Sequence, residues 1–92
     1  MITALILINV DRRAINETAQ ELLSIPGVAE VYSVTGEWDL VTVLRLPNYE
    51  DLATVVTERK VALEGIRRTQ TMMAFKAYSR EDLEQAWDLG VQ

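Results

Sequence analysis

The seven residues Val34-Thr35-Gly36-Glu37-Trp38-Asp39-Leu40 lie between two apolar stretches and predict a tight reversal between two β-strands. Gly36 suits such a turn because glycine adopts positive φ angles without steric cost. Residues 28–35 predict the strand before the turn, and residues 38–46 predict the strand after it. One side of the first of these strands is expected to carry Val28, Tyr32 and Val34. The centre of the chain is therefore expected to form a β-hairpin.

A strand and a helix are predicted ahead of the hairpin. Residues 2–10 are rich in β-branched and aliphatic side chains, and Asp11 then offers a helix N-cap. The following residues place apolar side chains on one helical face, at Ile15, Ala19, Leu22 and Leu23. Pro26-Gly27 is expected to end this helix.

A second helix and a fourth strand are predicted after the hairpin. Asn48 and Asp51 resemble a capping box, and Gly65 suits the end of the helix that they begin. The inner face of this helix is expected to carry Leu52, Val55, Val56 and Leu63. Residues 66–78 predict the fourth strand. Ser79 is expected to open a short terminal helix with Asp82, and its apolar face would carry Leu83, Ala86 and Trp87.

The two halves of the chain repeat one pattern at a constant offset. The matching pairs include Ile25 with Leu63, Gly27 with Gly65, and Val28 with Ile66. A repeated βαβ unit gives the order βαββαβ, so the predicted fold class is α+β, ferredoxin-like, with an extra C-terminal helix. The sheet is expected to be antiparallel, with both main helices on one face.

The strands are too apolar for a sheet with one wet face. Residues 4–8 and 40–44 carry apolar side chains on both sides, whereas such strands normally alternate between apolar and polar. Two helices cover one face only. We therefore expect a homodimer that covers the other faces by pairing two sheets into a dimeric α/β-barrel.

Composition argues against several classes of protein. The chain has 92 residues, which predicts one domain over 1–92, and its net charge of −5 does not favour direct nucleic-acid binding. It contains neither cysteine nor histidine, so thiol chemistry, the commonest metal ligands and the commonest general base are missing. We expect no metal, no cofactor and no enzymatic activity. The apolar run at residues 2–8 is too short to span a bilayer, which favours a cytoplasmic protein without a membrane partner.

Taken together, these motifs resemble the effector-binding domain of Lrp/AsnC-type regulators, also called the RAM module. The resemblance covers essentially the whole chain and rests on three segments besides the order of elements: Ile25-Pro26-Gly27-Val28, the hairpin at 34–40, and Gly65-Ile66 to Thr69-Gln70-Thr71. The aromatic before the hairpin aspartate is commonly tyrosine in the family, and Trp38 stands there. Full-length members carry a helix-turn-helix ahead of this domain, whereas this chain starts at the first strand. It is therefore expected to be a stand-alone RAM protein with no helix-turn-helix domain.

The resemblance implies a regulatory module rather than an enzyme. Dimers would assemble into a higher ring, an octamer or a decamer, with an amino-acid effector bound between dimers. DNA-binding relatives are implied as partners in mixed oligomers. The expected ligand-binding residues are Thr35, Gly36, Glu37, Trp38, Asp39, Thr69 and Thr71.

The chemistry of the loop residues allows structural and ligand-binding roles. A glycine at position 36 lets backbone amides approach a ligand carboxylate, but the turn alone would also require it. Asp39 can accept hydrogen bonds within the turn or pair with an α-ammonium group. Glu37 suits the solvated tip of the loop, and Trp38 suits packing, including a contact between dimers.

The threonines of the fourth strand are two residues apart and so share a face. Thr69 and Thr71 suit a strand in any protein, but each hydroxyl can also donate to a carboxylate and accept from an ammonium group. Arg67 is expected on that same face, where it either serves solubility or pairs with a carboxylate.

Two other functions fit the same fold. One is an enzyme of the dimeric α/β-barrel monooxygenase type, which shares the topology. The lack of histidine and of a convincing acid–base pair counts against it. The other is a purely structural oligomer without a ligand. The sequence does not specify which amino acid is bound, how many dimers assemble, or which genes are regulated.

Overall fold

The computed structural model describes residues 1–59 and 65–80. Its four strands are β1 (Ile2–Val10), β2 (Val28–Ser33), β3 (Leu40–Leu46) and β4 (Ile66–Ala74). A 3-10 turn, Arg12–Ala14, leads into helix α1 (Ile15–Leu23), and helix α2 (Tyr49–Thr54) continues as a π-helical turn, Val55–Arg59. The strands form one antiparallel sheet in the order β2-β3-β1-β4. This is the predicted α+β, ferredoxin-like arrangement.

One face of the sheet packs against both helices and forms the core. The even-numbered residues of β1 from Ala4 onward and those of β3 are buried there, namely Ala4, Ile6, Ile8, Val10, Leu40, Thr42, Leu44 and Leu46. The same cluster also contains Leu22 of α1, Ile25, Leu52 of α2 and Val55. Alternation along a strand explains the pattern, because every second side chain points to the same face.

The opposite face, called the open face below, is apolar at its centre, while Thr3, Asn9 and Arg45 lie toward its ends. It carries Leu5, Leu7, Val41, Val43 and Met72. The first four side chains are only partly exposed, whereas Met72 is 39% exposed. Among the described residues, no helix packs on this face. The expectation that both faces are apolar is thus confirmed, and the dimeric barrel stays a prediction.

The strand ends differ from the predicted ones around the hairpin and after β4. β2 ends at Ser33 and β3 begins at Leu40, so the loop is longer than expected. β4 ends at Ala74 instead of residue 78, and Phe75 beyond it is 98% exposed. Apolar side chains extend past the last paired residue, which is why composition overestimated this strand.

A bulge in β2 overturns the predicted sidedness of that strand. Val28 pairs with Leu44 and Val31 with Thr42, with a register shift between them. Val28 and Val31 therefore share the helix face, while Tyr32 lies on the open face. The prediction that Val28, Tyr32 and Val34 share one side is wrong because an extra residue in a bulge reverses the alternation.

The two predicted N-terminal capping residues make the expected contacts, with Asp11 capping the 3-10 turn ahead of α1. The Asp11 carboxylate accepts a hydrogen bond from the Arg13 N–H at 3.0 Å. The Asn48 N–H donates to the Asp51 carboxylate at 3.3 Å, as in a capping box. Leu63 and the predicted terminal-helix residues Asp82, Leu83, Ala86 and Trp87 lie outside the described residues.

Candidate functional site

The base of the hairpin loop is fixed by backbone hydrogen bonds. The Val34 N–H donates to the Asp39 carbonyl at 3.0 Å, which closes the loop. The Asp39 N–H donates to the Ile8 carbonyl, also at 3.0 Å, which joins the loop to β1. Gly36 has a φ of 102°, so the predicted need for glycine at this position is confirmed.

The Asp39 side chain fastens the loop to the end of β1. Its Oδ2 accepts from the Val10 N–H at 3.0 Å and lies 3.3 Å from Asn9 Nδ2. The hydrogen bond from Val10, and then that from Asn9, lower the pKa of Asp39 below its ordinary value. The carboxylate is therefore ionised at neutral pH and orders the loop, as one of its two predicted roles required.

Two side chains that the sequence reasoning missed hold the tip of the loop. Asn9 Nδ2 donates to the Glu37 carbonyl at 2.8 Å, and Asn9 Oδ1 accepts from Arg68 Nε at 3.1 Å. Arg68 Nη2 lies 2.8 Å from Glu37 Oε1, and its Cζ lies 4.4 Å from the centroid of the Trp38 ring. The sequence offered a weak signal for Asn9, since its parity places a polar side chain on the same face of β1 as Leu5 and Leu7.

A cleft of about 430 Å³ lies beside the loop, where β1 leads into the 3-10 turn. It is lined by Asn9, Val10, Asp11, Arg12, Asp39 and Arg67. Two carboxylates and two guanidinium groups thus share one small space. Arg67 Nη2 is 3.4 Å from Asp11 Oδ2, with both side chains well exposed.

The structure brings five of the seven predicted site residues together in one loop. Thr35, Gly36 and Glu37 are exposed at the tip, and Trp38 and Asp39 are partly buried. Thr69 pairs with Ile8, the residue whose carbonyl binds the Asp39 N–H, so it lies one strand away from the loop. Thr71 pairs with Ile6, farther along β1.

Both threonines lie on the helix face of β4, as their shared parity predicts. Their pairing partners, Ile6 and Ile8, are core residues of that face. Thr71 is nonetheless exposed and Thr69 partly exposed. Arg68 belongs to the other face, opposite Asn9. β4 therefore presents hydroxyl groups on one side and the loop-binding guanidinium on the other.

Residues 3–83 match the family model of the Lrp/AsnC ligand binding domain. The chain belongs to this family. The match covers nearly the whole sequence, including the hairpin and all four strands. The hairpin loop and the cleft beside it lie within the matched region.

Similar proteins of known sequence are regulators. An uncharacterized HTH-type transcriptional regulator of Pyrococcus furiosus is 37% identical over 71% of this chain and 43% of its own length. The HTH-type transcriptional regulator FL11 of the same organism is 35% identical over 84% of this chain and 50% of its own length. The chain spans about half the length of the curated relatives that it matches.

Two crystal structures match this chain over their whole length. A protein from Thermus thermophilus is 46% identical with a TM-score of 0.82, covering 87% of this chain and 100% of that one. The protein FFRP-DM1 is 35% identical with a TM-score of 0.77, covering 82% of this chain and 100% of that one. This Lrp/AsnC domain is thus an effector-binding module of the kind found in transcriptional regulators.

No helix among the described residues is long and apolar enough to cross a membrane.

Proposed function

We propose that this Lrp/AsnC domain binds a small α-amino acid beside the hairpin loop and regulates transcription through its assembly state. The observation that carries the proposal is the charge set of the cleft. The carboxylates of Asp11 and Asp39 and the guanidinium groups of Arg12 and Arg67 line the same space of about 430 Å³. A free α-amino acid carries one ammonium and one carboxylate group, so each of its charges meets an opposite charge at this edge.

Two further groups suit the same ligand. The loop at 35–39 borders the cleft through Asp39, and the hydroxyls of Thr69 and Thr71 on β4, which lie outside the cleft lining, can both donate and accept hydrogen bonds. A transcriptional regulator from Neisseria meningitidis that shares this fold was solved as an L-methionine complex. It is 17% identical with a TM-score of 0.77, covering 86% of this chain and 53% of that one.

The open face supports assembly into a dimer. A second copy placed face to face would cover Leu5, Leu7, Val41 and Val43 at once. A standard interface removes roughly 800 Å² of accessible surface per partner from water. This burial is worth about 20 kcal/mol of gross hydrophobic free energy per partner before association costs. We propose that such dimers form a higher ring, an octamer or a decamer, and that the ligand site is completed where two dimers meet.

The proposed output is a change of partner or of assembly. The acidic chain is a poor duplex ligand by itself, since its net charge is −5. It would act in the cytoplasm by altering its own assembly, or by joining DNA-binding relatives in a mixed oligomer. No catalytic step enters this proposal.

The test is a calorimetric titration with a panel of the common α-amino acids. At least one is expected to bind, and the same compound at 100 times its Kd should stabilise the protein by about 2.7 kcal/mol. Its amide, which lacks the carboxylate, and its N-acetyl derivative, which lacks the ammonium, should bind much more weakly. Arg12→Gln should weaken binding, while Arg45→Gln at the other end of the sheet serves as the matched control. If no amino acid of the panel gives a heat of binding or shifts the melting temperature of the protein, the proposal is contradicted.

A second variant tests whether β4 belongs to the site. Thr71→Val keeps the shape of the side chain and suits a strand, but it removes a hydroxyl. If that hydroxyl bonds a charged group of the ligand, the affinity should fall about ten- to a hundredfold. Unchanged affinity for an amino acid that the wild type binds would move the site away from this strand.

A further inference from the structure

One side chain, Asn9, connects three parts of the hairpin region. Its Nδ2 donates to the Glu37 carbonyl at 2.8 Å and lies 3.3 Å from Asp39 Oδ2. Its Oδ1 accepts from Arg68 Nε at 3.1 Å. A carboxamide is suited to this position because it offers donors and acceptors on the same group.

Arg68 is held from three directions at the same point. Besides Asn9, it contacts the Glu37 carboxylate at 2.8 Å and stacks at 4.4 Å from the Trp38 ring centroid. An exposed ion pair alone contributes little, and this one is open to solvent, with Arg68 56% and Glu37 70% exposed. The flat guanidinium adds a directional hydrogen bond and a ring contact, which a simple point charge does not provide.

The base and the tip of the loop are held by different means. Backbone hydrogen bonds fix the base at Val34 and Asp39, whereas Asn9 and Arg68 contact the tip at Glu37 and Trp38. We propose that Asn9 and Arg68 are positioning residues, a clasp that sets the conformation of the loop and thereby the shape of the cleft that Asn9 and Asp39 also line. The clasp itself is independent of the proposed function, and only its effect on ligand affinity rests on it.

Asn9→Asp is the discriminating variant. The new carboxylate still accepts from Arg68, but it donates to neither the Glu37 carbonyl nor the Asp39 carboxylate and repels the latter. The charged groups around the new side chain are the carboxylates of Asp39 and Glu37 and the guanidinium of Arg68. The guanidinium groups of Arg12 and Arg67 act on Asp39 from farther away. Protonation restores a donor, so the clasp should open at neutral pH and close again as the new carboxylate takes up its proton in acid.

Fluorine NMR of the full chain labelled with 5-fluorotryptophan reads the clasp directly. The chain has two tryptophans, so Trp87→Phe assigns the Trp38 resonance. In Asn9→Asp this resonance should move toward a solvent-exposed position at pH 7.5 and return toward the wild-type position in acid. Asn16→Asp makes the same chemical change on an exposed position of α1 and should leave the resonance in place.

Arg68→Lys tests the other half of the clasp with little risk to folding, because the side chain is largely exposed. It should shift the Trp38 resonance at every pH. Lysine keeps the positive charge but lacks the planar guanidinium that donates to two acceptors and stacks on the Trp38 ring. Arg45→Lys is the matched control. A wild-type Trp38 resonance in Asn9→Asp at pH 7.5, or a shift that does not depend on pH, would overturn the clasp. So would an unchanged resonance in Arg68→Lys.

The ligand measurement separates the clasp from the proposed function. For an amino acid that the wild type binds, Asn9→Asp should weaken binding at least tenfold at pH 7.5 and recover part of it in acid. Equal affinity would overturn the role of the clasp in shaping the cleft. If the wild type binds no amino acid while the Trp38 resonance behaves as described, the proposed function fails and the clasp stands.

Discussion

At the scale of single residues, Asp39 has a defined thermodynamic role. Hydrogen bonds from Val10 and Asn9 lower its pKa in the folded state. Its contribution to stability is therefore present above the unfolded pKa of about 3.9, and it is lost as the pH falls through the lower folded value. Asp39→Asn should be less stable than the wild type at pH 7, and the difference should shrink as the pH drops below about 4. Urea unfolding of both proteins at a series of pH values measures this, and a constant difference would contradict it.

Thr42 is a second residue whose effect on the free energy of unfolding can be tested. It is 1% exposed on the helix face, and its hydroxyl has no hydrogen-bond partner among the described residues. Burying a hydroxyl without a partner costs free energy that an apolar methyl group would not. Thr42→Val should raise the free energy of unfolding by about 1 kcal/mol in urea titrations. Thr18→Val, at a buried position whose side chain lines an open surface cavity, is the control, and a loss of stability in Thr42→Val would contradict the argument.

At the scale of elements, two glycines in turns should differ in their tolerance of substitution. Both have positive φ, 94° at Gly27 and 102° at Gly36, so alanine is strained at either position. At Gly36 an added Cβ meets no atom within 4 Å, whereas at Gly27 it overlaps the side chain of Leu46 in the core. Gly36→Ala should cost about 1–2 kcal/mol of unfolding free energy, and Gly27→Ala clearly more. Equal losses in thermal and urea unfolding would contradict the packing argument.

The elements also show how far the sequence alone could go. β1, both helix starts and the antiparallel order follow from apolar periodicity and capping residues such as Asp11, which act locally. The bulge between Val28 and Val31 left no local signal, because both valines suit either face until β3 selects the register.

Only the part of the site formed by residues adjacent in sequence could be predicted. The loop and Asp39 were found from the turn chemistry of residues adjacent in sequence. Asn9 and Arg68 lie 28 and 31 residues away from Glu37, and only the β1–β4 pairing brings them together. The sequence indicates Arg67 as a candidate partner for a carboxylate, but its approach to Asp11 depends on the same strand pairing and does not follow from sequence spacing.

At the scale of the whole molecule, the clasp and the open face share a surface. Asn9 and Arg68 lie at one end of the face that carries Leu5, Leu7 and Val43, so a partner seated there would approach the groups that set the loop. Assembly and loop conformation are thus expected to influence each other through physical contact. This link requires that the open face is covered, which a single substitution tests.

Val43 is the position for that test, because it lies on the open face opposite Leu5 of β1 and Glu30 of β2. Val43→Lys places a charge in the proposed interface, where taking an ammonium group out of water costs several kcal/mol, while leaving the helix-side core unchanged. Light scattering should show wild-type particles at a multiple of 10.4 kDa at micromolar concentration and the variant shifted to the monomer mass or unfolded. Ala53→Lys, exposed on α2, should assemble like the wild type. A folded wild-type monomer at these concentrations, or a Val43→Lys protein that assembles normally, would show that the sheets do not pair through this face.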